Sequence, residues 1–157
     1  MDPDISIALR PIRPQDIPGT RALVFDILKE HGLRPQPDSI EADLEAPDVF
    51  YAARGGAFWV LLDGSRIIAT IGILPHSGSS VELRKMYLHA NYRGRQLGQR
   101  LLDHAIEWAQ DRGFKQMFLE TSTKLTAAIG LYRKYGFTEI DGPTANTRCN
   151  LTMVRDL

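Results

Sequence analysis

The sequence predicts a mixed α/β (α+β) domain whose first half is largely antiparallel. Three observations support this fold class. The patterns typical of strands and helices follow one another as strand, two helices, three strands, helix, strand, helix, strand. The Asp63-Gly64 pair separates two apolar runs, and this dipeptide is typical of the turn in an antiparallel hairpin. Residues 98–112 place their apolar side chains at helical spacing, which predicts an amphipathic helix.

Length and composition are those of one ordinary globular domain. The 157 residues suffice to bury a single sizeable core, so we expect one domain over 1–157. The hydrophobic fraction of 43% and the charged fraction of 24% are usual for such a domain. The formal net charge is zero, so the composition gives no support for a nucleic-acid partner.

Cysteine usage and apolar runs bear on location and ligands. Cys149 is the only cysteine, which excludes an internal disulfide framework and is typical of a reducing cytoplasm. Residues 1–4 do not open a signal peptide, and no apolar run approaches the roughly 20 residues of a membrane span. The four histidines lack metal-ligand spacing. We therefore expect a cytoplasmic protein that uses neither a membrane nor a metal.

The chain begins with a strand and two helices. Apolar residues alternate with polar ones over 5–9, which predicts a half-buried strand. A helix opens after the proline-containing segment 13–16 and ends near Glu30. A short helix over about 39–46 follows, with Asp38 or Ser39 as a suitable N-cap.

The remaining elements follow from the same patterns and from glycine stops. Gly113 and Gly136 each come just after an apolar helical stripe, where glycine commonly ends a helix. In chain order the predicted elements are strands over 58–62, 66–73 and 81–88, a helix over 98–112, a strand over 114–120, a helix over 126–135 and a strand over 150–154.

The segment 92–102 is the most informative part of the chain for function. A basic turn that contains glycine connects a strand to the start of an amphipathic helix. The first N–H groups of a helix have no acceptor within the helix, and the helix dipole favours an anion beside them. Arg93, Arg95 and Arg100 add positive charge and several N–H donors. These features predict a diphosphate ligand.

Three segments, in this order, resemble the GNAT superfamily of GCN5-related N-acetyltransferases. They are the strand Glu82–Leu88, the turn Arg93–Gly98, and the run Ala128–Phe137 with its Leu-Tyr-x-x-Tyr-Gly-Phe ending. The resemblance implies a GNAT-like acyl-CoA N-acyltransferase fold, in which a central, mostly antiparallel sheet is splayed between two strands and flanked by helices. It also implies acetyl-CoA as the acetyl donor and an amine as the acceptor.

The resemblance further implies how acetyl-CoA contacts the chain. The pantetheine arm exchanges backbone hydrogen bonds with Met86 and Leu88, as an added strand would. The backbone N–H near Met86 or Tyr87 is the expected donor to the thioester oxygen. Thr123 is a candidate hydroxyl partner in a region where many members carry an asparagine. The pyrophosphate is expected on the backbone amides of the turn, which consists of Arg93, Gly94, Arg95, Gln96, Leu97, Gly98 and Gln99.

Gln96 departs from the family pattern, because the family has a glycine at this position. Glycine permits close approach of the backbone and unusual dihedral angles. Glutamine keeps the N–H donor and adds a side chain. We expect Gln96 to adopt a helical conformation with its side chain turned away from the ligand.

Aminolysis of a thioester requires a neutral amine, a stabilised oxyanion and a thiolate that can leave. Glu82 lies where some members carry a general base; the alternatives are a solvated carboxylate at the start of a strand, or a carboxylate paired with Arg84 or Lys85. Tyr132 matches the family tyrosine that protonates the departing sulfur, and a phenol stays protonated at neutral pH. The alternative for Tyr132 is a core side chain on a helix face.

The sequence indicates less clearly which residues bind the amine acceptor. Four acidic residues between 38 and 45 either attract a cationic amine or form a solvated helix face. Tyr51 and the loop 54–56 are candidate exposed contacts. We therefore predict an acetyl-CoA-dependent N-acetyltransferase that modifies a primary amine of a small molecule, peptide or protein by direct attack in a ternary complex. The alternative is a non-catalytic CoA-binding sensor or accessory domain. Dimers are common in the family, so a homodimer is an assembly to test.

Overall fold

A computed structural model describes residues 6–157, so Ile5 and the segment 1–4 discussed above lie outside the described residues. The strands are β1 Ile7–Pro11, β2 Ala57–Asp63, β3 Arg66–Pro75, β4 Ser80–Leu88, β5 Gln116–Thr121, β6 Thr138–Ile140 and β7 Leu151–Asp156. The α-helices are α1 Ile17–Glu30, α2 Pro47–Ala53, α3 Leu97–Asp111 and α4 Thr126–Lys134. Across residues 6–157, no helix has the length and hydropathy of a membrane span.

The strands form one sheet in the order β1-β2-β3-β4-β5-β7-β6. Every neighbouring pair is antiparallel except β4 and β5. These two parallel strands pair only where Ser80–Glu82 faces Gln116–Phe118. Beyond Glu82 they separate, so the sheet is splayed at its centre. This arrangement confirms the predicted mixed fold with a mostly antiparallel, splayed sheet.

Helices cover both faces of the sheet. On one face, Leu101 of α3 and Val81 of β4 are fully buried in the same apolar cluster. On the other face, Leu28 of α1 and Val60 of β2 are fully buried in a second cluster. Burial of each such aliphatic side chain contributes about 1.5–3 kcal/mol. The amphipathic stripe predicted for the helix near 98–112 is therefore confirmed, and it faces the sheet.

One local prediction is wrong, and one strand was not predicted. The segment predicted as a helix over 39–46 consists of turns and a 3-10 helix over Ala42–Leu44. The α-helix begins later, at Pro47, because proline fits the first position of a helix, where its missing N–H is not needed. The strand β6 was not predicted, because its three side chains are all exposed and show no alternation.

Candidate active site

Two clefts meet at β4, beside the point where the sheet opens. The first, which we call the sheet cleft, has an empty volume of about 810 Å³ and is lined by Glu82–Tyr87, Leu119–Thr121, Tyr132 and Arg148, among others. The second, which we call the helix groove, has an empty volume of about 780 Å³ and is lined by Met86–Leu88, Arg93, Gly98 and Leu131, among others. Met86, Tyr87 and Leu125 line both, so the two clefts share a wall.

The turn before α3 leaves consecutive backbone N–H groups without a protein acceptor. Among the described residues, no backbone acceptor bonds the amides of residues 94–99, and the first bond of α3 joins the Arg100 N–H to the Gln96 carbonyl at 3.2 Å. These amides lie at the start of a 15-residue helix, where the helix dipole is positive. Such a turn can hold a phosphate.

The prediction that Gln96 adopts an ordinary helical conformation is wrong. Gln96 has φ 63° and ψ 19°, which is the left-handed conformation that glycine adopts easily. Gly94, two residues earlier, is also left-handed, with φ 80°. The turn therefore has a backbone conformation at position 96 that glycine adopts easily, although a glutamine occupies this position.

The three arginines near the turn have different partners. Arg93 pairs with Glu30 of α1 at 2.6 Å and also lines the helix groove. The Arg95 guanidinium lies over the Tyr92 ring, 5.0 Å from its centroid. Arg100 donates to a carbonyl of β1 at 3.4 Å. Arg93 and Arg95 therefore stay beside the turn, whereas Arg100 is directed towards β1.

A β-bulge interrupts β4 where the two clefts meet. Lys85 and Met86 together oppose the single β3 residue Ile71. Lys85 has a left-handed φ of 51°, and its carbonyl accepts a hydrogen bond from the Thr70 hydroxyl at 2.7 Å. A bulge interrupts the regular hydrogen-bond ladder between two strands. The backbone at Lys85 and Met86 therefore lies outside the regular pairing of β4 with β3. This is the segment predicted to contact the pantetheine arm and the thioester oxygen.

Tyr87 and Leu88, which follow Met86 on β4, also line the helix groove. Burial raises the pKa of the Tyr87 phenol, so it stays neutral. The Leu88 carbonyl accepts a hydrogen bond from Nε of Arg93 at 3.2 Å. This bond connects the end of β4 directly to the turn before α3.

Glu82 lies in the sheet cleft and is the last residue of β4 that pairs with β5, opposite Phe118. Its side chain is 24% exposed, and Nε of Arg84 is 3.7 Å from its Oε1. Burial raises the pKa of this carboxyl above its ordinary value, although the positive charge of Arg84 acts in the opposite direction. A carboxylate with a raised pKa is a better proton acceptor near neutral pH.

Tyr132 lies on α4, and its side chain is 5% exposed while it lines the sheet cleft. Burial raises its pKa, so the phenol remains protonated and able to donate. Its ring packs against Phe137, with the ring centroids 5.8 Å apart. The side chain is thus part of the core and also a wall of the cleft.

Thr123 lies apart from the other predicted residues. Its hydroxyl accepts a hydrogen bond from Nδ2 of Asn150 at 3.1 Å. Its backbone N–H donates to Oδ1 of the same Asn150 side chain at 2.9 Å. It lines neither the sheet cleft nor the helix groove. The hydroxyl therefore joins the end of β5 to the start of β7.

A buried ionic network beside the sheet cleft was missed by the sequence analysis. Arg148 donates to both oxygens of Glu41, at 2.6 and 2.7 Å. Nζ of Lys85 lies 3.6 Å from Glu41 and 3.3 Å from Asp43. Burial disfavours the Glu41 charge, but the hydrogen bonds from Arg148 and Gln36 leave its pKa below the ordinary value. These five residues connect three distant segments of the chain around the cleft.

This network corrects two expectations about the acceptor side. Glu41 and Asp43 are 0% and 2% exposed, so they are not part of a solvated helix face. Tyr51 is fully buried rather than exposed, and its hydroxyl donates to Asp43 at 2.5 Å. No local pattern in the sequence signals these contacts, because Glu41 and Arg148 are 107 residues apart.

Cys149 is half-buried and lines the sheet cleft. Burial raises the pKa of its thiol, so the side chain is not activated as a thiolate. A thiol that stays protonated is a poor nucleophile, so the surroundings of Cys149 do not favour an acyl-cysteine intermediate.

Comparisons with known proteins find similar sequences and similar folds. The uncharacterized N-acetyltransferase YjgM of Escherichia coli K12 is 33% identical to this chain over 160 residues, which cover 97% of this chain and 96% of that protein. A GNAT-family acetyltransferase of Staphylococcus aureus Mu50 has a similar crystal structure, with a TM-score of 0.90, 25% identity, and coverage of 96% of this chain and 98% of that chain.

The PaiA N-acetyltransferase of Thermoplasma acidophilum, solved in complex with coenzyme A, shares the fold with a TM-score of 0.75 and 18% identity, over 98% of this chain and all of that chain. The profile of the acetyltransferase (GNAT) family matches residues 24–137 of this chain. With the family profile matching most of its length and a 33% identical relative matching nearly all of it, the chain belongs to the acetyltransferase (GNAT) family of enzymes.

Proposed function

We propose that this enzyme is an acetyl-CoA-dependent N-acetyltransferase that acts on a primary amine by direct attack within a ternary complex. The observation that carries the proposal is the meeting of two clefts at the β4 bulge. One cleft leads towards the anion site at the start of α3, and the other contains Glu82 and Tyr132. The two reactants would therefore meet at the wall formed by Met86 and Tyr87.

The residues present fit coenzyme A. The unbonded amides of residues 94–99 suit a pyrophosphate, and the nearby guanidinium of Arg95 has no carboxylate partner within 6–157. The helix groove has a wall of apolar side chains that suits the pantetheine arm, including Leu125 and Leu131. The PaiA protein, which shares this fold, binds coenzyme A. The role of Thr123 stays a prediction from the family resemblance.

Acetyl-CoA supplies an acyl group activated as a thioester, and the chain supplies the proton transfers. Glu82 accepts a proton from the attacking amine, directly or through a water molecule. A backbone N–H at Met86 or Tyr87 stabilises the oxyanion. Tyr132 donates a proton to the departing sulfur. The N–C bond forms as the C–S bond breaks; of the two protons that the ammonium loses, one reaches solvent and the other ends on the thiol.

The remaining predictions belong to this proposal. We expect the 157 residues to act as one domain in the cytoplasm. The acceptor is a small molecule, a peptide or a protein, and a homodimer is an assembly to test. The alternative of a sensor that binds coenzyme A without turnover is distinguished by the measurement below.

Binding and turnover test the proposal separately. Isothermal calorimetry with acetyl-CoA should give a saturable heat, and a thiol reagent should detect coenzyme A release when amines are added. Binding with no thiol release across a broad amine panel would favour the sensor. Absence of any binding by the folded protein would overturn the proposal.

A further inference from the structure

Two charged side chains of the sheet cleft have unused hydrogen-bonding capacity. Glu82 and Arg84 are two residues apart on β4, so their side chains lie on the same face of the sheet. Arg84 is 3.7 Å from Glu82 and also 3.7 Å from Asp43. Both separations are too long for hydrogen bonds. Among the residues that the structure describes, neither Glu82 nor Arg84 makes a side-chain hydrogen bond, although both line the cleft.

The other charged groups around the cleft already have hydrogen-bond partners. Arg148 binds both oxygens of Glu41. Lys85 donates to the Ile40 carbonyl at 3.0 Å and lies between two carboxylates. Both oxygens of Glu120 accept from the Ala145 N–H, at 3.1 and 3.0 Å. One carboxylate and one guanidinium therefore remain open to a ligand.

We propose that the acceptor is a small zwitterionic amino acid, whose ammonium group faces Glu82 and whose carboxylate is bound by Arg84. This inference rests on the proposed N-acetyltransfer and names its substrate class. A guanidinium has five N–H donors in a plane and binds a carboxylate through two parallel hydrogen bonds. The short separation of Glu82 and Arg84 matches a molecule that carries both charges within a few bonds.

The unmet hydrogen bonds of Glu82 and Arg84 favour a zwitterion over a simple amine. The cleft and its network hold four carboxylates, Glu41, Asp43, Glu82 and Glu120, and three cationic groups, Arg84, Lys85 and Arg148; among the described residues, only the Glu82 and Arg84 side chains of this set lack a hydrogen bond. An added charge without a partner is costly in such a partly buried site. A zwitterion leaves the net charge of the cleft unchanged, and its carboxylate gives Arg84 the hydrogen bonds that this side chain lacks. A simple amine would neutralise Glu82 and leave Arg84 unbonded.

The test compares free amino acids with matched compounds that lack the carboxylate. The full chain is assayed for thiol release from acetyl-CoA with α-amino acids, their carboxamides and the corresponding decarboxylated amines. We expect kcat/KM to be about 10- to 100-fold higher for the free amino acids, as expected for hydrogen bonds between charged groups. Arg84→Gln should remove this preference through KM, while Arg112→Gln, at the exposed end of α3, should retain it.

The outcomes separate this inference from the proposed function. Equal use of amino acids, carboxamides and amines by the unmodified enzyme would overturn the inference and support the transferase function, and this comparison does not depend on how the variants fold. Binding of acetyl-CoA with no turnover of any amino acid would also overturn it. A chain that binds no acetyl-CoA would overturn the proposed function itself.

Discussion

Tyr132 combines a core position with a free hydroxyl. Its ring is buried against Phe137, and within residues 6–157 its hydroxyl makes no hydrogen bond to protein. Removing the hydroxyl therefore leaves no buried polar partner unsatisfied, and the packing of the ring is retained. A substitution at this position can therefore test the proposed catalytic role of the hydroxyl without changing the packing of the ring.

Tyr132→Phe should lower kcat by about 100-fold or more, because general acid catalysis typically contributes a factor of that size. The dissociation constant for acetyl-CoA and the melting temperature should change little. Steady-state kinetics and calorimetry measure these quantities. Tyr135→Phe is the matched control, since that hydroxyl donates to Asp103 on α3. Similar kcat values for the two variants would remove Tyr132 from the chemistry.

Glu82→Gln should change the pH dependence of both rate and stability. As a base, Glu82 must be ionised, so kcat/KM should rise with pH through the raised pKa of this carboxyl, and the variant should lose that rise. Because the pKa of Glu82 is raised in the folded protein, this carboxyl binds a proton more tightly in the folded state than in the unfolded chain. The stability contributed by Glu82 therefore falls as pH rises through the window between the ordinary and the raised pKa.

The variant should accordingly have a higher melting temperature than the unmodified enzyme at pH 7 and an equal one at pH 4. Calorimetric melting at both pH values, together with the pH–rate profile, tests these two expectations. Glu107→Gln, at an exposed position of α3, serves as the control. An unchanged pH–rate profile would show that Glu82 is not the base.

At the scale of elements, α3 and α4 come close at Gly98 and Leu131, which both line the helix groove. A Cβ added at Gly98 of α3 would lie 3.0 Å from Cδ2 of Leu131 on α4. A Cβ added at Gly130 of α4 would meet nothing within 4 Å. The two glycines are thus in helices of the same groove but have opposite surroundings.

Gly98→Val should weaken acetyl-CoA binding by about 10-fold or more, because the added side chain enters the groove and displaces Leu131. Gly130→Ala should leave binding unchanged and raise the free energy of unfolding by about 1 kcal/mol, because alanine is the better helix former. Calorimetry and urea unfolding measure the two effects. Equal binding by both variants would show that the groove does not hold the pantetheine arm.

At the scale of the whole molecule, the ionic network fastens the N-terminal half to the β6–β7 segment. Glu41→Gln leaves Arg148 and Lys85 without a full counter-charge in a buried site and should lower the free energy of unfolding by about 3–5 kcal/mol. Because the folded pKa of Glu41 is lowered, its stabilising contribution is present above the ordinary pKa and is lost as the pH falls through the lowered one.

Urea unfolding at pH 7 and at acidic pH measures this contribution. Glu45→Gln, in the same segment but 83% exposed, should change the free energy of unfolding by at most about 0.5 kcal/mol. Similar effects of the two substitutions would contradict the stabilising role of the network. A difference between the free energies of unfolding of the two variants that becomes smaller at acidic pH would support the stabilising role of the network.

The parts of the fold that local patterns determine were predictable from the sequence. The Asp63-Gly64 turn, the apolar stripe of the helix Leu97–Asp111 and the glycine after it depend on neighbouring residues, and the structure contains all three. The left-handed backbone of Gln96 was not predictable, because the turn and not the residue type dictates it. The pairing of Glu41 with Arg148 depends on topology, which no spacing in the sequence shows.

The shared wall of the two clefts has a consequence for inhibitor design. Met86, Tyr87 and Leu125 line both spaces, so the two spaces adjoin at these three residues. A single compound that joins the coenzyme A sulfur to an amino acid nitrogen through a short linker would occupy both spaces at once. Because it would lose translational and rotational freedom only once, such a bisubstrate compound should bind far more tightly than either half alone.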